Sequence, residues 1–399
     1  MQVTISAVTP AWLSLAAATW WLCSAAVLSL SFFAALLHPL RRRRSRPANK
    51  HAPLTAIVPV KDVHDGFAEA QRSLLDQNYE RLEILVAVAD PSAPALPILR
   101  ETYGRLPPRI VISDCTDAAS PKLNNLWPAI SQAENDLILT KDSNVVLQSG
   151  DIAAFFECLG PGVGLVSAIP IARQLRTFPA WIEASIINSY HARVLMLGDA
   201  AGLGFGLGKI MLFRRSDLMR AGGFECLKWA VGEDMALARA MRQLGLCTVL
   251  ADRVCDQTLG RRTLRDVWQR QRRWMTIWRV QLPAAFVADL LGSAFPTALA
   301  GAVAAHLVGL SPAAVFAATL VAWCGIESLL CAAKGWPVSF QSPLAFLARE
   351  LLTPVLWLSA LMTSDVRWAG ATYRVRARGV PPFLEFSTER NGLARGRAE

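Results

Sequence analysis

From Ala11 to Leu37 the chain carries no charged side chain, and Arg41, Arg42, Arg43, Arg44 and Arg46 follow almost at once. An apolar stretch of that length crosses a bilayer core of about 30 Å as a helix. A chain built this way has a segment whose solvent is lipid, which argues against a purely water-soluble fold. Residues 1 to 10 contain no Lys or Arg. A cleaved signal peptide has its positive charge in front of a shorter apolar core. Here the order is reversed, so residues 1–46 read as an uncleaved transmembrane anchor with a basic flank. The positive-inside rule then puts its start outside and residues from 41 onward in the cytoplasm.

Two further apolar runs, Leu290 to Leu310 and Pro312 to Ala333, meet at the turn signal Ser311-Pro312. They read as a transmembrane helical hairpin over 290–333. Glu327 interrupts the second run. An intramembrane carboxylate is a functional candidate, or else an interior residue hydrogen-bonded to a neighbouring helix. Between 344 and 364 Arg349 and Glu350 leave only Leu351 to Met362 uninterrupted, which is too short to span. Arg367, Arg374, Arg376 and Arg378 follow. Keeping them inside makes 344–364 a re-entrant or interfacial helix and 365–399 a basic cytoplasmic tail.

Composition agrees with a multi-pass protein. Only 18% of residues are charged and the mean hydropathy is +0.32, against about 25% charged in ordinary soluble domains. This excludes a disordered chain. The formal charge of +10, from 41 Lys+Arg against 31 Asp+Glu, points to anionic partners: nucleic acid, a membrane surface or a phosphorylated substrate. No motif supports nucleic acid. Eight scattered cysteines without a C-x-x-C pair argue against zinc and against a disulfide framework, and suit a reducing compartment.

Residues 50–260 have a different character. Leu54 to Val60, Leu82 to Ala89, Arg109 to Ile112, Asp136 to Thr140 and Gly164 to Ile169 are short apolar runs rich in β-branched residues. Amphipathic stretches such as Gly66 to Gln77 and Pro94 to Tyr103 separate the first of them. The alternation predicts βαβ units and a parallel sheet in an α/β domain. Ligands bind beyond the carboxyl ends of such strands, and Asp90 and Asp142 stand at two of those ends. The glycines Gly202, Gly204, Gly206 and Gly208 lie too far along the chain, and before a strand, for a dinucleotide fingerprint. They predict a loop whose backbone approaches a ligand closely.

Four features combine. Asp90 can accept hydrogen bonds from a base or ribose, or merely cap its turn. Asp142-Ser143-Asn144 places two oxygen-bearing side chains where a hard cation and nucleotide phosphates could be held. Glu233-Asp234 opens a predicted helix, where a carboxylate is stabilised and can act as a general base, or simply be an N-terminal helix charge. Residues 261–282 form a helix with Trp268, Trp274 and Trp278 at helical spacing and Arg270, Arg272 and Arg273 among them. Its aromatic face suits a membrane interface, and its arginines suit a pyrophosphate.

The order of these motifs resembles the ceramide glucosyltransferases of glycosyltransferase family 21, a membrane branch of the inverting GT-A enzymes. The resemblance rests on AVAD ending at Asp90, KDSN around Asp142, GEDM around Asp234, and the (Q/R)xxRW element Arg270 to Trp274. IVPVKD at 57–62, PKLNNL at 121–126, GLVSAIP at 164–170, Ser189 to Arg193, RAGGF at 220–224 and the tail from Trp368 to Gly379 add to it. It implies a GT-A (nucleotide-diphospho-sugar transferase) domain with a mostly parallel sheet and transmembrane helices at both ends. It implies inverting transfer of a hexose, glucose first, from a UDP-sugar to the primary hydroxyl of a membrane lipid such as ceramide. In that reading Asp234 is the base and Asp90 contacts uridine. Asp142, with Asn144, binds Mg²⁺ or Mn²⁺. Arg270, Arg273 and Trp274 hold the diphosphate and cover the site. Lys61, Lys122, Asn124 and Asn125 line the donor pocket, and His191 and Glu233 lie near the acceptor. Asn144 replaces the second Asp of a strict D-x-D, so base catalysis is the firmer expectation. A diacylglycerol or hopanoid acceptor, or another UDP-sugar, is the alternative within the class. A non-catalytic membrane scaffold or transporter is the alternative outside it.

Overall fold

The computed structural model describes residues 11–40, 52–104, 106–230, 232–368, 371–376 and 383–386. The Arg41–Arg46 flank and most of the basic tail, with Gly379, lie outside them. The α/β region is built on a seven-stranded sheet of order β3-β2-β1-β4-β8-β6-β9. These strands are β1 (Leu54–Val60), β2 (Leu82–Val88), β3 (Arg109–Ile112), β4 (Leu137–Lys141), β6 (Val163–Ser167), β8 (Ile210–Arg214) and β9 (Cys247–Leu250). Helices α2 (Phe67–Arg72), α3 (Ala95–Tyr103), α4 (Pro121–Gln132), α5 (Asp151–Cys158), α8 (Arg215–Arg220) and α9 (Glu233–Gln243) connect the strands. A smaller sheet pairs β5 (Val145–Val146), β10 (Cys255–Gly260) and β7 (Pro170–Leu175).

Both faces of the large sheet are covered, which is why its central strands read as continuous apolar runs. Alternate residues serve opposite cores. Leu54, Ala56 and Val58 of β1 join Leu212 of β8 on one face, and Ile57 joins Met211 and Phe213 on the other. Pro59 is tolerated in β1 because pairing with β4 ends at Ile57↔Thr140, so its missing N–H lies beyond the two-sided part of the strand.

The sheet is parallel except at β8, which runs antiparallel to both β4 and β6. That reversal brings the amino end of β8 to the carboxyl end of β4, and the Asp142 N–H donates to the Lys209 carbonyl at 3.0 Å.

After α6 (Phe178–Ala184), a π-helical turn over Ser185–His191 leads into α7 (Ala192–Ala200). The chain then returns to the sheet, and after β10 comes α10 (Leu264–Gln281), opened by a reciprocal capping box between Thr263 and Asp266.

Four apolar elements pack against one another and against these. Three are long and apolar enough to cross a membrane: Ala11–Leu40, which contains α1 (Ala11–Leu37), α13 (Pro312–Ala333) and α14 (Ser342–Met362). The expected first arm of the hairpin, Leu290 to Leu310, is not one straight helix. It is divided at Ser293 into Pro283–Gly292 and Ala294–Val308, bent by 64°. These pieces contain α11 (Pro283–Ala288) and α12 (Ala294–Ala304). The Glu350 carboxylate stabilises the break, accepting from Ser293 Oγ at 2.7 Å and from the Phe295 N–H at 3.0 Å.

The expectation that Arg349 and Glu350 shorten the last apolar segment is corrected as well, since α14 runs unbroken through both. They are buried, and Arg349 pairs with Glu327 of α13 at 2.7 Å and with Glu350. Glu327 also takes Arg193 of α7 at 3.2 Å. Arg193 in turn donates to Ser31 of α1 at 2.8 Å and to the Gly292 carbonyl at 2.7 Å. Paired in this way, charges need not interrupt an apolar helix.

Length alone does not decide how α14 lies. Ala345 near its start packs with Ile182 and with Val267 at the start of α10. Just past its end, Ser364 accepts from Arg279 of α10 at 2.9 Å. The helix therefore runs alongside α10 along its whole length. It leads into a small antiparallel sheet, β11 (Asp365–Trp368), β12 (Ala371–Arg376) and β13 (Phe383–Phe386), whose Val366 and Tyr373 pack on Ile277 and Val280.

Candidate active site

The carboxyl ends of β1, β2 and β4 deliver Lys61, Asp90 and Asp142. Lys61 is exposed, 3.9 Å from Asp62. Asp90 is exposed too, and its Oδ1 accepts from the Ser92 N–H at 2.7 Å and Ser92 Oγ at 2.6 Å. These two hydrogen bonds hold its carboxyl below the usual range. Asp90 thus caps its own turn through Oδ1.

Asp142 sits in a tighter setting. Its Oδ1 takes Lys122 Nζ and its Oδ2 takes Lys209 Nζ, both at 2.8 Å. Burial opposes ionisation there, but the two ammoniums prevail and keep the carboxyl well below its ordinary value. Lys122 is placed by α4, which starts at Pro121 behind the Ser120 cap. It also reaches Glu233 Oε1 at 2.8 Å and the Gly208 carbonyl at 2.6 Å. Asn144 turns its Oδ1 toward Lys209 at 3.4 Å.

Glu233 and Asp234 open α9 but differ in state. Glu233 is spent on Lys122. Among the described residues Asp234 has no ion pair, only N–H donors: Gly208 to Oδ2 at 2.9 Å and Met235 to Oδ1 at 2.7 Å. Burial, then the neighbouring Glu233 charge, raises its carboxyl to about 6. The glycine loop, expected from the sequence to approach a ligand closely, explains this placement. Its close approach is to the chain at Asp234, since a Cβ on Gly206 would overlap the Asp234 carbonyl oxygen. Only glycine lets the loop lie this near α9.

From α10, Arg270 pairs with Glu183 at 3.3 Å, and Arg262 meets the same carboxylate at 3.2 Å. Arg273 is lowered to about 10 by burial and by Arg270. Trp274 and Trp278 flank His191, with ring centroids 5.9 and 5.7 Å away. Burial, then Arg349, lowers His191 to about 4, so the ring is neutral near pH 7. The two asparagines of PKLNNL do different work. Both ends of the Asn124 amide engage Ala118, at 2.7 and 2.9 Å, which pins the loop ahead of α4. Asn125 donates to the carbonyls of Val60 and Ala87 at 3.2 and 2.9 Å, tying β1 to β2.

The geometry therefore gathers Lys122, Asp142, Asn144, Glu233 and Asp234, with Arg273 close enough to feel Asp142 and Glu233. Lys61 and Asp90 stand apart at neighbouring strand ends. Three participants escaped the sequence reading. Lys209 is invisible until β8 is known to run antiparallel. Glu183, fully buried between two arginines, lies in no motif. Gly208 was seen only as part of a loop, although its N–H holds Asp234.

Asp142 and Asn144 offer oxygen donors, which suits Mg²⁺ or Mn²⁺. Among the described residues no three His, Cys, Asp or Glu side chains form a ready cage. Mg²⁺ characteristically binds through one or two carboxylates together with substrate phosphates. Two ammoniums already on Asp142 mark it as a seat for positive charge, so the residues fit such an ion.

A mixed sheet with acidic residues at its carboxyl edge and a basic, aromatic helix above them is the architecture of a GT-A glycosyltransferase. The family described as "Glycosyl transferase family 21" matches residues 21–380, and the chain belongs to it. Ceramide glucosyltransferase 3 of Caenorhabditis elegans is 22% identical over 360 residues, covering 87% of this chain and 77% of that protein. Ceramide glucosyltransferase 1 of the same organism is 21% identical over 333 residues, covering 81% and 71%. Among solved structures, a mannosyltransferase from Pyrobaculum calidifontis in complex with GDP-Man and Mn²⁺ is 19% identical. It covers 84% of this chain and 99% of its own, at a TM-score of 0.48.

Proposed function

We propose that this glycosyltransferase moves a hexose, glucose in the first instance, from a UDP-sugar to the primary hydroxyl of a ceramide-like membrane lipid, with inversion at the anomeric carbon. The observation that carries the reading is the contrast between adjacent carboxylates. Glu233 is neutralised by Lys122, whereas Asp234 is held by N–H groups and lifted to about 6. Inversion needs one base on the face opposite the leaving group, with a pKa near the working pH. Asp234 meets that need and Glu233 does not. The departing diphosphate needs positive charge, which Lys122, Arg270 and Arg273 supply. Asp142 and Asn144 would hold a divalent cation, which when bound withdraws charge from the diphosphate.

A lipid acceptor accounts for the surroundings. Its hydroxyl stays at headgroup level while its tails remain in the bilayer, so the site must face the interface. The tryptophans of α10 and the course of α14 beside that helix support an interfacial α14. The catalytic region and the C-terminus then share the cytoplasmic side, and the bend at Ser293 lets α11 lie along the same surface before α12 turns inward.

Purified enzyme given a panel of UDP-sugars and lipids, with products read by mass spectrometry, identifies donor and acceptor. Asp234→Asn should abolish transfer while UDP-sugar binding persists. Equal loss of both would overturn the assignment of the base.

A further inference from the structure

Lys209 belongs to no motif that led to the site, yet its ammonium reaches the site's central carboxylate. We infer that Lys209 is a donor-diphosphate ligand, held in reserve on Asp142 and released to the phosphates when the nucleotide sugar enters. The inference rests on the proposed use of a UDP-sugar and adds a residue to it.

The two lysines on Asp142 are not equivalent. Lys122 has three partners: Asp142 at 2.8 Å, Glu233 at 2.8 Å and the Gly208 carbonyl at 2.6 Å. Lys209 has Asp142 at 2.8 Å and the Asn144 amide oxygen at 3.4 Å. When Asp142 turns to a divalent cation, Lys122 keeps two of its partners. Lys209 loses its only carboxylate among the described residues, and Asn144, a donor to the same cation, leaves with it. An ammonium that is four-fifths buried cannot remain unpaired. The anion that arrives at that moment is the diphosphate.

Backbone geometry keeps Lys209 in place for the exchange. It sits at the amino end of β8 and accepts from the Asp142 N–H through its own carbonyl at 3.0 Å, so the two residues cannot drift apart. The neighbouring Gly208 N–H holds Asp234 at 2.9 Å. One short segment thus sets both the base and a cation for the leaving group, which have to lie on opposite sides of the sugar. The exchange also explains how a site this basic tolerates being empty, since Asp142 neutralises the lysines until a phosphate takes them.

The test is equilibrium binding of UDP and of UMP to the full-length enzyme in detergent, with Mn²⁺ and again in EDTA. Wild type should bind UDP more tightly than UMP in both conditions. Lys209→Met should weaken UDP by at least about tenfold, the loss of one charge-assisted hydrogen bond, and change UMP by less than about threefold. Lys209→Arg should keep the preference for UDP. Lys209→Gln, which retains a polar side chain, should behave as Lys209→Met and serves in its place if that variant fails to fold. UDP binding left unchanged by both neutral variants overturns the inference, and so does a parallel loss of UMP, which would mark a structural role. Wild type that binds neither nucleotide would defeat the UDP-sugar reading itself, a result distinct from either.

Discussion

At the scale of single residues, the site works by giving like groups unlike partners. Asp142 carries two ammoniums and is ionised at any working pH. Among the described residues Asp234 meets only N–H donors, and burial leaves its carboxyl near 6. A base must be ionised to accept a proton, so activity should be lost as pH falls through about 6 and reach its plateau above about 7. The dependence of kcat on pH at saturating donor and acceptor checks this, and a flat profile from pH 5 to 8 would remove Asp234 from the proton transfer. His191 is the weaker base, because burial holds it near 4, and its ring lies against those of Tyr190, Trp274 and Trp278.

At the scale of elements, the polar network around Glu327 joins α1, α7, α13 and α14 through one buried carboxylate. The sequence offered Glu327 either a functional or a bland interior role, and the geometry gives it two arginines. Glu327→Gln leaves Arg193 and Arg349 without their shared counter-charge. Breaking a buried pair from one side typically costs about 3–5 kcal/mol. The melting temperature in detergent should fall by several degrees, and Glu327→Asp should fall less. An unchanged midpoint would mean that the network adds nothing to stability. The π-helical turn over Ser185–His191 depends on the same network. Arg349 donates to the Ser185 carbonyl at 3.0 Å and to Ser189 Oγ at 2.8 Å, and His191 follows two residues later. Such turns are uncommon and concentrate at functional sites. Here one joins the apolar helices to the tryptophans of α10 through His191.

At the scale of the whole molecule, the proposed function puts membrane attachment and catalysis on one surface. Placing α14 at the interface keeps the C-terminus on the cytoplasmic side with the catalytic region, so a reporter fused to the C-terminus should be active in the cytoplasm. A reporter active outside would show that α14 crosses, in keeping with its length and against its packing on α10. The broad plan was readable in the residues. The apolar runs of α1 and α13, the βα alternation, the aspartates at strand ends and the Arg/Trp helix all depend on local periodicity and local chemistry, which a sequence displays directly. Neighbours far apart in the chain were not readable. Lys209 meets Asp142 because a single strand is reversed, Glu183 meets Arg262 and Arg270 across the fold, and the glycine loop closes on Asp234. The break at Ser293 and the continuity of α14 have one cause. Whether Glu350 interrupts a helix or caps another depends on what it faces, and a sequence does not specify that. Composition and spacing alone determined that this chain is membrane-attached, carries an α/β domain with acidic residues at its strand ends, and has a basic surplus suited to anionic partners. Which of the adjacent carboxylates pairs with an ammonium and which meets N–H donors was decided by the tertiary structure, because a side chain's charge state depends on the charges and burial that the fold places around it.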